Sequence, residues 1–360
     1  MKKLNGFISD ILYICKIMIT EKMKITFIIN PISGTVSKSG IPQLIDQMLD
    51  KKKFSYEIRE TLYAGHAAKI ATECKEQGVD VVVAVGGDGT VNEVGRALVH
   101  TNTALAILPC GSGNGLARHL MLPMNLKKSI ETINKGVIHD LDYGVINDIP
   151  FFCTCGIGFD AFVSMKFAEA GKRGPITYVE NVLREGLRYK PETYTITDES
   201  GTKMRKAFLI SCANASQYGN NAYIAPHASM ADGILDIIIM EPFDMFDAPQ
   251  ISMDLFSKTI ENNSKIKMLK SSRILVKRQK EGYIHYDGDP VMAGTEIEIH
   301  VEHKGIKMVV NPDADKSKRK PAPVVNAISE AFNTLRDDIE GNRRTILALN
   351  KKILRRLNNL

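Results

Sequence analysis

The sequence predicts an α/β domain built on a parallel sheet, then a β-rich domain of antiparallel, sandwich-like build, and three observations carry that reading. From Lys24 to about Gly144, apolar runs alternate with amphipathic helical stretches, the pattern of parallel strands joined by right-handed helical crossovers. After Tyr143, strand-like runs follow one another without regular helices between them, as antiparallel layers do. Three of the early strands run directly into loops of glycine and small polar residues, a construction that lets backbone amides close on an anion.

In the first domain the strands fall at 25–30, 54–60, 79–85 and 104–108, with helices near 41–50, 65–77, 90–99 and 126–135. The third strand is almost all valine, with no polar alternation, as expected of a strand covered on both faces. It opens into Gly86-Gly87-Asp88-Gly89-Thr90, and Asn92 and Glu93 follow. Thr90 is placed to cap the next helix, with Glu93 three residues on completing a capping box. Asp88 is a carboxylate at the tip of a turn suited to phosphate. Taken alone it reads equally well as a turn residue, since Asp-Gly is a common turn pair. A second loop of the same build, Cys110-Gly111-Ser112-Gly113-Asn114-Gly115, follows the fourth strand, and Asn30-Pro31-Ile32-Ser33-Gly34 follows the first. Loops at the carboxyl ends of neighbouring parallel strands face one crevice.

These three motifs, in this order and spacing, resemble the diacylglycerol kinase catalytic domain family, which takes in sphingosine, ceramide and bacterial lipid kinases. The resemblance runs from about Met23 to about Pro312. It implies ATP and Mg²⁺, with the nucleotide held in the cleft between the two domains by Asn30, Pro31, Ile32, Ser33, Gly34, Gly86, Gly87, Asp88, Gly89, Thr90, Asn92, Glu93, Gly111, Ser112 and Asn114. Thr61, ahead of Gly65-His66-Ala67, matches a feature that touches nucleotide in the family.

The second half carries strands near 150–156, 192–197, 206–213, 234–240, 272–277, 283–286, 296–301 and 306–310, and one helical stretch near 161–189 broken by Gly171-Lys172-Arg173-Gly174-Pro175. A cation in that glycine-flanked loop suits a phosphate; a solvated surface loop is the plainer reading. Ala231-Asp232-Gly233 reads locally as a hairpin turn. The resemblance makes Asp232 a Mg²⁺ ligand, joined by the carbonyls of Ser229 and Ile234, and oxygen donors suit that hard cation. Tyr286-Asp287-Gly288-Asp289 stands where the family has Asp-Gly-Glu. Its last carboxylate, Asp289, matches the family's proton acceptor with a side chain one methylene shorter, which leaves Asp88 the stronger base candidate. Asp160, in Gly156-Ile157-Gly158-Phe159-Asp160-Ala161, matches a motif on the lipid side.

Charge is uneven. Residues 316–360 carry eleven Lys or Arg against four acids and residues 1–24 five against two, so a chain of net +6 has a slightly acidic body. Basic ends on an acidic body argue against nucleic acid and for an anionic membrane surface. From residue 322 apolar residues recur at helical spacing among Arg343, Arg344, Lys351, Lys352, Arg355 and Arg356, an amphipathic basic extension. If its back half binds membrane, deleting residues 342–360 weakens co-sedimentation with anionic vesicles in a salt-dependent way; unchanged binding rules this out. The segment 11–19 is apolar but too short to span a bilayer, and a translation start at Met23 is the alternative to an interfacial segment. The six cysteines are scattered and read as packing thiols of a reducing cytosol.

The organisation expected is therefore an extension over 1–22, a nucleotide-binding domain over 23–144, a β-rich domain over 145–312 and a basic tail over 313–360. The function expected is ATP-dependent phosphorylation of a lipid hydroxyl, on a sphingoid-like base or a diacylglycerol, by a cytoplasmic enzyme peripheral at the inner membrane face. Whether it forms a homodimer is open. The alternatives are an NAD kinase-like enzyme and a non-catalytic nucleotide-binding protein at the membrane. No GxxxxGK[ST] motif is present, which excludes a P-loop enzyme.

Overall fold

The computed structural model describes residues 22–33, 37–170, 186, 189–244 and 246–314. Gly34, the Lys172-Arg173 loop, the first twenty-one residues and the basic tail lie outside them. The chain divides into two compact units, one holding the residues up to Leu141 together with Lys304–Ala314, the other Asp142–His303.

The first unit is built on four parallel strands in the order β2 (Phe54–Glu60), β1 (Met23–Ile29), β3 (Val81–Gly86), β4 (Ala104–Pro109). Every residue of β3 and β4 is buried. Alternate side chains go to opposite faces. Phe27, Val83 and Ala106 pack with Ile41 and Ile45 of α1 (Ile41–Met48) and with Ile130 and Ile133 of a later helix, Leu126–Lys135. The other face is covered by α2 (His66–Glu76) and α3 (Asp88–Leu98), which also pack on each other. A short helix α4 (Gly115–His119) follows the loop after β4, and Leu126–Lys135 is α5. Met308, near the end of the long strand Glu296–Val309, pairs in parallel with Leu105.

The second unit begins within β5 (Ile138–Ile146), at Asp142, and continues into β6 (Ile149–Phe151). One antiparallel sheet contains β7 (Thr154–Gly158), β10 (Leu209–Ala213), β11 (Leu235–Met240), β12 (Ile266–Ser271), β14 (Gly282–Tyr286) and β15 (Asp289–Ala293). A second layer contains β8 (Glu192–Asp198), β9 (Gly201–Ala207), β13 (Arg273–Lys277) and β16 (Glu296–Val309). Ile157, Ile210 and Ile237 of the first layer meet Tyr194, Ile274, Ile297 and Ile299 of the second in one core. The outer face of the first layer packs under α6 (Phe159–Ala170) and α7 (Ala248–Ser257) through Phe159, Phe208, Ile238 and Ile251.

Three local expectations are corrected. β16 is one strand, where the sequence suggested two; the break read at Lys304-Gly305 is a kink with Lys304 at φ 52°. The region expected to lack helices contains α7, a ten-residue helix with proline in its first turn, where proline is tolerated because that amide has no intrahelical partner. α3 begins at Asp88 rather than after Thr90, and no capping box forms.

Candidate active site

In the first unit the three loops expected to hold phosphate leave the same edge of the sheet and touch one another. Asn30 donates its backbone N–H to the Val85 carbonyl and its side-chain amide to Thr90 Oγ1 at 3.1 Å. Its own Oδ1 accepts from the Ile32 N–H, and Ser33 folds back with its hydroxyl on the Asn30 carbonyl. Gly86 leaves no room for a side chain here, since a Cβ would lie 2.5 Å from Thr90 Oγ1 and 3.1 Å from Ser33 Oγ. The loops after β3 and β4 approach more closely still. A Cβ on Gly111 would sit 2.6 Å from Gly87 Cα, backbone against backbone, so glycine is required. The last loop closes on itself: Asn114, left-handed at φ 50°, accepts from the Gly111 N–H and donates to the Gly111 carbonyl. Ser112 stands exposed at its tip.

Asp88 ties these loops together. Its two carboxylate oxygens accept the N–H groups of Asn114 at 2.8 Å and Gly115 at 2.7 Å, so it caps α4 from the first turn of α3. Burial pushes its carboxyl above the usual carboxylate range, against the pull of the Gly115 and Asn114 amides and of the nearby Arg118 charge. Arg118 in turn donates to the Gly113 carbonyl. Glu93 is used elsewhere, accepting from the Gly65 N–H at 3.0 Å, and thereby holds the loop after β2 against α3. Thr61, buried in that loop, donates its N–H to the Ile29 carbonyl.

In the second unit Asp232 is exposed on the turn from Ser229 to Ile234, where its Oδ1 accepts from Ile234 N–H and Ser229 Oγ accepts from Ala231 N–H. Gly233 is left-handed at φ 71°, and its N–H donates to the fully buried carboxylate of Asp142, which also meets His303 Nδ1 at 2.8 Å. Asp236, whose side chain is 3% exposed, stands beside this turn with Oδ2 lacking a hydrogen-bond partner. Lys270 Nζ lies 3.3 Å from Asp236 and 4.0 Å from Asp232. An ammonium at the meeting point of two carboxylates, one with an unsatisfied oxygen, marks a place that accepts positive charge. Carboxylate oxygens suit a hard cation, although Lys270 already meets both carboxylates here and among the described residues no three His, Cys, Asp or Glu side chains cluster as a metal site.

The Asp287-Gly288-Asp289 turn separates its two carboxylates. Asp287 accepts the N–H groups of Phe152, Cys153 and Thr154 at 2.7–3.1 Å and so clamps that loop. Asp289 stands exposed at the start of β15. Asp160, at the start of α6, accepts from the Tyr218 hydroxyl at 2.9 Å and lies 3.0 Å from Nε2 of the buried His285, close but not aligned for a hydrogen bond. Gly156 makes this possible, because a Cβ there would fall 2.4 Å from Asp160 Oδ2 and 2.5 Å from His285 Nε2. Asn30, Asp88 and Asn114 thus come together in the first unit. Asp160, Asp232 and Asp289 belong to the second.

Residues 24–146 match the diacylglycerol kinase catalytic domain, and residues 153–318 match the YegS C-terminal NAD kinase beta sandwich-like domain. The chain belongs to the diacylglycerol kinase family. It is a lipid kinase by that membership. The Escherichia coli protein named probable lipid kinase YegS is 26% identical over 273 residues, spanning 74% of this chain and 90% of that one. A Synechocystis protein is 27% identical over 298 residues, spanning 78% of this chain and 69% of its own. A diacylglycerol kinase structure from Bacillus anthracis shares the fold, with a TM-score of 0.62 at 21% identity over 81% of this chain and 98% of the other.

Lys38 is among the residues of this lipid kinase that escaped the sequence reading. Lys38 is 8% exposed, donates its ammonium to the Ser33 carbonyl, and lies close enough to Cys110 to act on its thiol. It brings a buried positive charge to the place where the loops after β1 and β4 approach. The only sequence signal was a lysine shortly after Asn30-Pro31-Ile32-Ser33. Of the cysteines, the five that are described are buried free thiols. Among the described residues no helix is long and apolar enough to cross a membrane.

Proposed function

We propose that this lipid kinase transfers the γ-phosphoryl group of ATP to a hydroxyl of a long-chain lipid, a sphingoid-like base or a diacylglycerol. The observation that carries the reading is the convergence of the loops after β1, β3 and β4, with Gly87 and Gly111 in backbone contact and Asp88 between them. The amides of Gly87–Thr90, Ser112 and Gly113 and the side chain of Asn30 cradle the phosphates, while the Gly111 and Asn114 amides hold the last loop in shape, with the α3 N-terminus and the Lys38 ammonium supplying positive potential. Positioning and charge neutralisation are most of what phosphoryl transfer asks of a protein. Asp88 orients the acceptor hydroxyl and takes its proton; Asp289 is the second candidate for that proton.

Asp232, the carbonyls of Ser229 and Ile234, and the neighbouring Asp236 would hold Mg²⁺, which neutralises phosphate oxygens when bound. Asp142 and His303 hold that turn in place through Gly233. Asp160 faces the lipid head group, with Tyr218 fixing its carboxylate. α6 supports this assignment, because its sequence FDAFVSMKFAEA is apolar well beyond one face while Phe162, Val163 and Met165 are only half-buried. The enzyme is proposed to work at an anionic membrane surface, to which the basic tail tethers it.

Incubating the purified protein with labelled ATP and a panel of sphingoid bases, ceramides and diacylglycerols should label one lipid class. Absence of lipid-dependent turnover across the panel would remove the kinase reading, and turnover on NAD alone would replace it with the dinucleotide alternative.

A further inference from the structure

We propose that His285 is a positioning residue for the lipid acceptor: its buried Nε2–H closes on Asp160 when the substrate engages that carboxylate, and its Nδ1 ties the pair to the turn that carries Asp289. This rests on the reading that Asp160 faces the lipid head group.

The sheet brings these groups onto one rung. Gly156 of β7 stands opposite Ser211 of β10 on one side and His285 of β14 on the other. Their strand neighbours Cys155, Ile157, Ile210 and Ile284 face the core between the two layers. By strand alternation the rung itself faces outward, to the side where α6 packs on β7, β10 and β14. Gly156 leaves a gap between its two neighbours, and the Asp160 carboxylate descends into that gap from the first turn of α6. Tyr218 closes the recess from the loop after β10, since its hydroxyl donates to Asp160 Oδ2 at 2.9 Å and also lies 3.2 Å from Ser211 Oγ.

His285 is the member of this recess whose hydrogen-bonding capacity is unspent. Its ring is 2% exposed. Nδ1 accepts the Gly288 N–H at 3.4 Å, so in the neutral ring the proton stands on Nε2. That buried N–H has no hydrogen-bond partner, although Asp160 Oδ2 is only 3.0 Å away. Buried donors are nearly always met, and here a small rotation of the carboxylate would meet this one. Active-site hydrogen bonds are commonly misaligned until substrate tightens them. Asp160 has an oxygen to offer that substrate. Oδ2 takes the Tyr218 proton, while Oδ1 accepts no hydrogen bond among the described residues. A head-group hydroxyl or amine donating to Oδ1 turns the carboxylate, and His285 then holds it by Oδ2. Through the Gly288 amide the same ring holds the turn whose last residue is Asp289. One side chain thus joins the head-group contact to a candidate proton acceptor.

The test measures steady-state turnover of the full chain with ATP and either dioctanoylglycerol or sphinganine as acceptor. It compares wild type, His285→Gln, His285→Asn, Asp160→Asn and the double variant His285→Asn with Asp160→Asn. A glutamine amide can stand where Nε2 stands, whereas an asparagine amide reaches only the place of Nδ1. His285→Asn should raise the KM for the lipid by about 10- to 100-fold, the range of a hydrogen bond to a charged group, and leave the KM for ATP unchanged. His285→Gln should keep the lipid KM near wild type. Because His285 acts through Asp160, the double variant should be no worse than Asp160→Asn alone. Lipid and ATP KM rising together in His285→Asn, a lipid KM in His285→Gln as poor as in His285→Asn, or fully additive losses in the double variant would each overturn the proposal and leave His285 a packing residue. Should His285→Asn fail to fold, wild type carrying isotope-labelled histidine decides the matter. The His285 Nε2–H resonance should move downfield when the lipid is added, and a resonance that does not move overturns the proposal. Wild type without lipid-dependent turnover removes the kinase reading itself, and an unchanged lipid KM in Asp160→Asn removes the placement of Asp160 on which His285 depends.

Discussion

Asp88→Asn is expected to reduce lipid-dependent ATP turnover by about 10²- to 10⁴-fold, the usual range for removing a general base, and to lower the melting temperature as well. The second effect follows from the hydrogen bonds. Both oxygens of Asp88 accept an amide, from Asn114 and from Gly115, and asparagine has one oxygen. One amide is left facing an NH₂ group, at a cost of about 1–3 kcal/mol. The pH profile separates the two roles. Because burial holds the Asp88 carboxyl above its usual range, it stays protonated to a higher pH than a free aspartate. The base form then accumulates only as pH rises through that raised pKa. Turnover should therefore show an acid limb above the ordinary aspartate value of about 3.9, and the residual activity of Asp88→Asn should lack it. Turnover within tenfold of wild type, with a lowered melting temperature, would leave Asp88 a structural clamp and pass the proton to Asp289.

What the sequence made legible was what repeats along it. The valine run of β3, the strand–helix alternation around it and the glycine loops at strand ends are signals of local spacing, and all lie where expected. What it concealed was partnership at long range. Glu93 looked like the end of a capping box because Thr90 stood three residues before it, yet its carboxylate serves Gly65, and Thr90 serves Asn30. Asp287 looked like part of a catalytic turn and is consumed by three amides 133–135 residues earlier. His285 and Asp160, a close pair, are far apart in sequence, and nothing local marks His285. Asp232 was singled out as a metal ligand by motif. Its neighbours Asp236 and Lys270 were not, because they meet only through the pairing of β11 with β12.

Gly89→Ala is expected to weaken nucleotide binding by at least about tenfold without destabilising the protein, and this outcome distinguishes a glycine kept for the ligand from one kept for the fold. Gly86, Gly87, Gly111 and Gly113 are each explained by what surrounds them. A Cβ on Gly86, Gly111 or Gly113 would strike Thr90, Gly87 Cα or the Asp88 carboxylate respectively, and one on Gly87 would press against Gly111 Cα at 3.2 Å. Gly89 is different: a Cβ there meets nothing within 4 Å, and no left-handed φ requires glycine. It also sits in the first turn of α3, where alanine is the better helix former by up to about 1 kcal/mol. Packing and propensity both permit alanine, so the physical reason left for glycine is the approach of a phosphate to the amides of that turn. Gly111→Ala supplies the contrast. With its Cβ 2.6 Å from the Gly87 backbone, it must push the two loops apart, and it should lose thermal stability and ATP affinity together. Measured side by side, Gly89→Ala should keep or raise the melting temperature while its ATP Kd rises, and Gly111→Ala should lose on both. A Gly89→Ala protein with wild-type ATP affinity would show that no phosphate approaches the α3 N-terminus closely, and the nucleotide site would have to be sought away from the Gly87–Thr90 turn.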